Sequence, residues 1–464
     1  MMSDVALARE GRYWPQLAAL SLAMLLPSLG TSIANVALPT LATSFDAPMA
    51  DVQWVVISYL LAVTCFIIGA GRLSDIVGRS RLLLMGIVLF AGASAASAVA
   101  PSLWFLIGAR VVQGLGAAAM MALAVAMVGD LVPKERTGSA MGLLGTVSAV
   151  GTALGPTFGG ALIAAFGWPA VFAVLAILGG VTLLIGRTLF PIDAVDSRQS
   201  TGFDGTGTVL LALSLLAFAA AMTLGGRISA SAMAILAALS GFGITAFFFN
   251  ETRAPAPLVR MDLLRERALS TSLFAMALIS AIMMATLVVG PFYLSSALGL
   301  GAVETGLVMS VGPGVAAVTG VPAGRLVDRL GSFRVIISGL LAVAAGSTLM
   351  MALPGWLGVG GYVASVVVIT FGYALFQAAN TTAVMQSATS DRRGVTSALL
   401  GLSRNLGLIS GASAMGAIYV MGPRIAEVFG LRAGDEAGLR LTFLVAAGLA
   451  ALALCATWWG QRQN

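Results

Sequence analysis

The chain has 464 residues, 59% of them hydrophobic and only 9% charged, with a formal net charge of +6. Soluble domains carry about 25% charged residues, so this composition cannot build a water-facing surface, and a string of soluble domains is excluded. The surplus of positive charge lies in short segments between apolar runs, where it reads as membrane topology and gives no ground for nucleic-acid binding.

Fourteen stretches with little or no charge follow one another at about 15–41, 52–70, 82–101, 102–129, 139–166, 168–186, 205–226, 228–250, 269–297, 305–324, 335–354, 356–386, 394–421 and 441–460. Most are long enough to cross about 30 Å of hydrocarbon as helix at 1.5 Å per residue. The 56 glycines and 16 prolines are tolerable there, because neighbouring helices satisfy the freed backbone groups. Arg9 and Arg12 precede the first stretch with no small-x-small cleavage site after it, which predicts a retained signal anchor. With the N-terminus in the cytoplasm, 19 of the 25 basic residues fall on that side, and Arg227, Arg424, Arg432 and Arg440 fall opposite. That asymmetry predicts a cell (inner) membrane protein with both termini cytoplasmic. Cys65 and Cys455 each lie in an apolar stretch and the chain has no histidine, so neither a disulfide framework nor a metal site is expected.

Three correspondences run through the chain in the same order. GRLSDIVGRSR at 71 pairs with GRLVDRLGSFR at 324, an offset of 253, and Gly116 pairs with Gly372 at an offset of 256. The glycines at 145, 151, 155 and 160 pair with those at 401, 407, 411 and 416, again at 256. Spans one to six therefore repeat as spans nine to fourteen in the same direction, a known transporter plan. The expected organisation is an N-terminal six-helix bundle at 1–190, linkers with an inserted two-helix hairpin at 191–268, and a C-terminal six-helix bundle at 269–464.

In the repeated phrase, Gly71 is expected to end a helix at a close backbone approach, and Asp75 to sit in a short cytoplasmic turn beside Arg72, Gly78, Arg79 and Arg81. A carboxylate there can meet the positive end of a helix, an interaction of about 0.3 to 1 kcal/mol when exposed. The second copy offers Gly324, Arg325, Asp328, Arg329 and Arg334 for the same purpose, so the pair reads as a latch that forms and breaks as two halves move. Arg110 lies inside the fourth span, where an arginine costs at least about 2.5 kcal/mol unless paired or wetted, and is expected to face a central cavity. Arg404 in the thirteenth span invites the same argument, with snorkelling to the cytoplasmic face as its alternative.

GRLSDIVGRSR resembles the signature between the second and third helices of the major facilitator superfamily. RVVQGLGAA, with Arg110, Gln113, Gly114 and Gly116, resembles the fourth-helix motif. GTALGPTFGG, with Gly151, Gly155, Pro156, Gly159 and Gly160, resembles the fifth-helix motif of the antiporters. With fourteen spans, the chain is similar over essentially its whole length to the fourteen-helix drug/proton antiporters. The resemblance implies alternating access around a central cavity, with the proton gradient as energy source and no cofactor. It implies also that Asp75 engages the helix start near Gly394, and Asp328 that near Thr137 or Gly138. Read on its own chemistry, the fifth-span motif spaces small residues by four for close packing, and Pro156 removes one donor and permits a bend.

The sequence departs from that family where LGTSIANVALP carries Gly30 in place of a first-helix aspartate. All 19 Asp and Glu fall in loops or at span ends, which leaves Asp75, Asp130, Glu304 and the cation Arg110 as coupling candidates. The expected cavity offers Arg110, Arg404 and the neutral groups of Asn35, Gln53, Tyr59, Gln113, Tyr293, Gln377, Asn380, Gln386 and Asn405. Because a cation needs a buried negative charge to replace its hydration, this set suits a neutral or anionic amphiphile better. No catalytic constellation and no nucleotide-binding loop occurs. The function expected is export of amphiphilic small molecules or drugs across the bilayer, by proton antiport. The alternatives are a proton-independent facilitator or exporter of an anionic or lipid-like metabolite, and a transport-inactive sensor.

Overall fold

The computed structural model describes residues 14–132, 137–190, 204–224, 228–254, 266–387, 393–428 and 435–461; the side chains of Arg72, Asp75 and Asp130 lie outside the described set. The described residues form fourteen long helices. They are α1 (Trp14–Ser44), α2 (Trp54–Val77), α3 (Arg79–Ala98), α4 (Leu103–Leu131), α5 (Thr137–Phe166), α6 (Pro169–Leu189) and α7 (Gly205–Thr223), then α8 (Ala230–Glu251), α9 (Arg267–Phe292), α10 (Ala302–Leu330), α11 (Ser332–Leu357), α12 (Val359–Ser387), α13 (Arg393–Val428) and α14 (Asp435–Gln461). Thirteen are long and apolar enough to cross a membrane on the described residues, and α5, 30 residues long, is the remaining one.

The repeated phrase proves to be mostly helix. α2 runs through Asp75 to Val77 and α10 through Asp328 to Leu330, so neither aspartate is in a turn. A Cβ at Gly71 or Gly324 would meet nothing within 4 Å among the described residues, which show no close approach there. The turns are made by Gly78 (φ 96°) and Gly331 (φ 82°), 253 residues apart, in backbone conformations that favour glycine.

Helix pairing repeats with the sequence. α1 packs on α5, α2 on α4, and α3 on α4 and α6; in the same way α9 packs on α13, α10 on α12, and α11 on α12 and α14. Glycine allows the closest of these crossings. A Cβ on Gly116 would lie 2.6 Å from the Gly86 carbonyl oxygen, and one on Gly372 2.6 Å from that of Gly339. The helices α7 and α8 form a hairpin, and α7 lies against both α2 and α13, with Trp54 Nε1 donating to Thr223 Oγ1 at 3.0 Å. The outer side of α8 exposes Ile235, Phe242 and Phe249, as a lipid-facing helix does.

Up-and-down connectivity puts Arg79, Arg81, Arg187, Arg325, Arg329 and Arg334 at one end of the bundle, and Arg424 and Arg440 at the other. The two sets of six helices meet at the arginine-poor end. There a Cβ on Gly160 would lie 2.5 Å from the Ala302 carbonyl oxygen, and one on Gly306 2.4 Å from that of Pro156. The hydroxyls of Thr157 and Ser310 are hydrogen-bonded across the same seam. A second closure brings α2 to α13, where Gly416 lies on the Gln53 side chain.

Candidate functional site: a cavity between the repeats

Midway along the helices, on the arginine-rich side of the α5–α10 seam, is a cavity of about 450 Å³, of the size that holds a drug-like ligand. Its walls come from α1, α2, α4 and α5, and from their repeat mates α9, α10, α12 and α13. Lining residues fall in pairs at the repeat offsets: Tyr59 with Gly312, Leu60 with Pro313, Val63 with Ala316, Met121 with Gln377, Ser148 with Arg404, and Thr152 with Leu408. The cavity is thus built symmetrically but furnished asymmetrically.

One wall is apolar, formed by Met283, Met284 and Leu287 of α9 with Val308 and Met309 of α10. The α1 wall is polar and largely satisfied within the fold. Tyr59 Oη and Thr31 Oγ1 each donate to the Pro27 carbonyl at 2.9 Å, Asn35 Nδ2 donates to Thr31 O at 3.1 Å, and Ser28 and Ser148 share a hydrogen bond of 2.6 Å. Asn35 Oδ1 is left buried without a partner. The third wall, from α12 and α13, presents Tyr373, Gln377, Arg404 and Asn405. Arg404 Nε is buried with no hydrogen-bond partner. Among the described residues lining the cavity there is no carboxylate, and Arg404 is the one formal charge.

Of the residues expected in the cavity, Asn35, Tyr59, Gln377, Arg404 and Asn405 line it. Arg404 lies 11 residues into the 36-residue α13, five past Leu399 where the apolar span of that helix begins, and lines the cavity.

Arg110 does not face the cavity. It is fully buried behind Tyr59, its guanidinium carbon 4.1 Å from the centre of that ring, with Phe172 farther off at 5.9 Å. Its Nε donates to the Val55 carbonyl at 2.9 Å and its Nη1 to Gln113 Oε1, and Gln113 in turn donates to Ser94 Oγ at 2.6 Å. Gln113 therefore orients the arginine instead of lining the cavity. A cation held by carbonyl dipoles and an aromatic face explains how the chain bears a charge here without a counter-ion.

Four other expected residues also lie elsewhere. Gln53 is buried at the α2–α13 closure, and Asn380 Nδ2 donates to the Ser272 carbonyl at 3.3 Å. Gln386 is exposed near the end of α12. Tyr293 stacks on Tyr362 with ring centres 6.2 Å apart, and it is Tyr362 that reaches the cavity. Glu304 is exposed and its carboxylate accepts the Gly301 N–H at 3.0 Å, so it caps α10. A side chain at Gly30 would point toward Phe90 and Leu175 inside the first bundle, away from the cavity.

The fifth-span glycines divide by face: Gly151, Gly155 and Gly159 lie on α1, against Leu25, Ser32 and Ile33, while Pro156 and Gly160 lie on α10. Asp328 is exposed, but the contacts expected for Asp75 near Gly394, and for Asp328 near Thr137 or Gly138, lie outside the described residues, as does the Asp130 side chain. Residues missed by the sequence reading include Thr31, Ser148, Tyr362, Tyr373 and the cavity methionines. The repeat offset was the available signal, since it carries Ser148 onto Arg404 and Met121 onto Gln377.

The sequence matches the Major Facilitator Superfamily over residues 20–412. It is 31% identical over 431 residues to "Uncharacterized transporter YebQ" of Escherichia coli (strain K12), covering 92% of this chain and 91% of that protein. It is 29% identical over 428 residues to the "Tetracenomycin C resistance and export protein" of Streptomyces glaucescens, covering 90% and 78%. Among solved structures, the peptide transporter POT in complex with sulfate superposes with a TM-score of 0.72 at 16% identity, covering 96% of this chain and 95% of that one, a likeness of fold.

Proposed function

Because the chain belongs to the Major Facilitator Superfamily and is a multi-pass secondary transporter, not an enzyme, we propose that it exports amphiphilic small molecules or drugs from the cytoplasm in exchange for protons. The observation that carries this reading is the cavity between the two repeats, lined by both apolar and polar side chains and with a seal at one end only among the described contacts. In this reading the units at 1–190 and 269–464 rock about the cavity, and the hairpin within 191–268 packs at their border. The positive-inside asymmetry supports an inner-membrane protein with both termini and the arginine-rich face in the cytoplasm. The resemblance of GTALGPTFGG to the antiporter motif supports exchange, and the likeness to the Streptomyces resistance and export protein supports export.

Proton coupling has no acid to use among the described cavity residues, and Glu304 is engaged at the α10 start. The reading therefore assigns it to Asp75 and Asp130, near the arginine-rich ends of α2 and α4. The test is protein reconstituted in vesicles with a trapped pH indicator, an imposed pH gradient, and cationic, neutral and anionic amphiphiles added in turn. Substrate-dependent proton movement is expected, falling at least about tenfold in Asp75→Asn or Asp130→Asn, since an asparagine carries no transferable proton. Substrate flux with no proton movement would remove the antiport label, leaving facilitated export. Absence of flux with every class would favour a transport-inactive sensor.

A further inference from the structure

We infer that the substrate carries an anionic group, of carboxylate or sulfonate type, and that Arg404 of α13 receives it. This rests on the transporter reading above and narrows its substrate. A charged side chain deep in a membrane protein is costly unless its charge is answered. Arg110, the other arginine within a span, is answered internally by the Val55 carbonyl, Gln113 and the Tyr59 ring, with Nη2 alone left unpartnered. Arg404 donates no hydrogen bond to any described residue: half-buried, it lines the cavity with Nε enclosed and unpartnered, and no lining side chain among the described residues is acidic. The answering charge is then supplied by the occupant.

The surroundings fit this assignment. Gln377 and Asn405, whose side chains make no hydrogen bond among the described residues, line the same cavity with amide donors, and Tyr373 adds a hydroxyl. A guanidinium with adjacent neutral donors matches the fork geometry of a carboxylate or sulfonate. In the same cavity, the methionine-rich stretch of α9 and α10, helices that pack on α13 and α12, accepts the apolar part of the same molecule. Arg110 lies one aromatic ring behind the cavity surface at Tyr59, so each repeat places one cation near the centre. The repeat mate of Arg404 is Ser148, so the anion seat belongs to the second repeat alone.

The test uses three probes that share one ring system: naphthalene-2-sulfonate, its neutral sulfonamide, and 2-naphthylmethylammonium. Equilibrium binding is measured with the full chain in nanodiscs against empty nanodiscs, with counterflow in proteoliposomes as the transport readout. The sulfonate is expected to bind at least tenfold more tightly than either partner. Arg404→Gln should weaken the sulfonate at least tenfold more than the sulfonamide, and Arg404→Lys should restore most of the difference. A wild type that prefers the ammonium or the sulfonamide overturns the inference, as does an Arg404→Gln chain that weakens sulfonate and sulfonamide equally. If sulfonamide counterflow persists in that case, the transporter reading survives while the anion seat falls. Failure of all three probes to bind or exchange overturns the amphiphile reading itself, and this inference with it.

Discussion

Gly160→Val and Gly306→Val are each expected to cut transport by about fivefold or more while leaving the protein in the membrane. A Cβ at 160 would lie 2.5 Å from the Ala302 carbonyl oxygen and 3.2 Å from Gly306 Cα, and one at 306 would lie 2.4 Å from the Pro156 carbonyl oxygen. These are backbone atoms that no rotamer change can move, so the clash is relieved only by drawing α5 and α10 apart. Overpacking of this kind costs about 1 to 3 kcal/mol. Charged to one conformation alone, it shifts the balance between the two about 5- to 150-fold. The packing of α5 on α1 uses other residues, Gly151, Gly155 and Gly159, so the first bundle keeps its own contacts. The check is counterflow together with thiol labelling of Ser310→Cys, in a background lacking Cys65 and Cys455. Flux should fall and labelling rise; wild-type flux with unchanged labelling would show that this seam is not a moving contact.

Gly407→Ala is expected to lower stability by about 2 kcal/mol, whereas its repeat mate Gly151→Ala stays within about 1 kcal/mol of wild type. Both glycines lie where the fifth helix of a bundle crosses the first. The approach is closer in the second repeat: a Cβ at 407 would lie 2.1 Å from the Ala277 carbonyl oxygen, and one at 151 2.9 Å from that of Leu25. Alanine gains about 1 kcal/mol over glycine within a helix, enough to offset the looser contact and not the tighter one. Gly401→Ala, on the same helix as Gly407 with nothing within 4 Å of its Cβ, should show that gain unopposed. Thermal unfolding of the detergent-solubilised chain orders the three variants. Equal shifts at 407 and 151 would mean that the crossings are equivalent in solution.

Much of the fold was legible in the chain itself. Apolar length gave the spans, because hydrocarbon thickness imposes a minimum run whatever the packing. The repeat was legible because close helix crossings demand glycine, and Gly116 with Gly372 kept both the crossing and its 256-residue offset. The absence of an acid from the middle of the spans could also be read directly, since a carboxylate there is costly; the buried Glu251 stands at the very end of α8.

Side-chain direction was another matter. In water a helix shows its inward face by apolar periodicity, but here lipid and protein interior are equally apolar, and the stripe that would orient each helix is erased. Arg110 and Arg404 look alike in the sequence, yet packing encloses the first behind Tyr59 and opens the second to the cavity. Gly159 and Gly160 are neighbours, yet one meets Ile33 of α1 and the other Ala302 of α10, because successive helical positions differ by about 100°. The sequence by itself determined how many times the chain crosses, where it repeats, and which charges it keeps out of the membrane. Only the tertiary structure decided which polar groups meet a substrate and which hold the bundles together, because that choice depends on helix rotation, which the uniform apolarity of a membrane chain does not record.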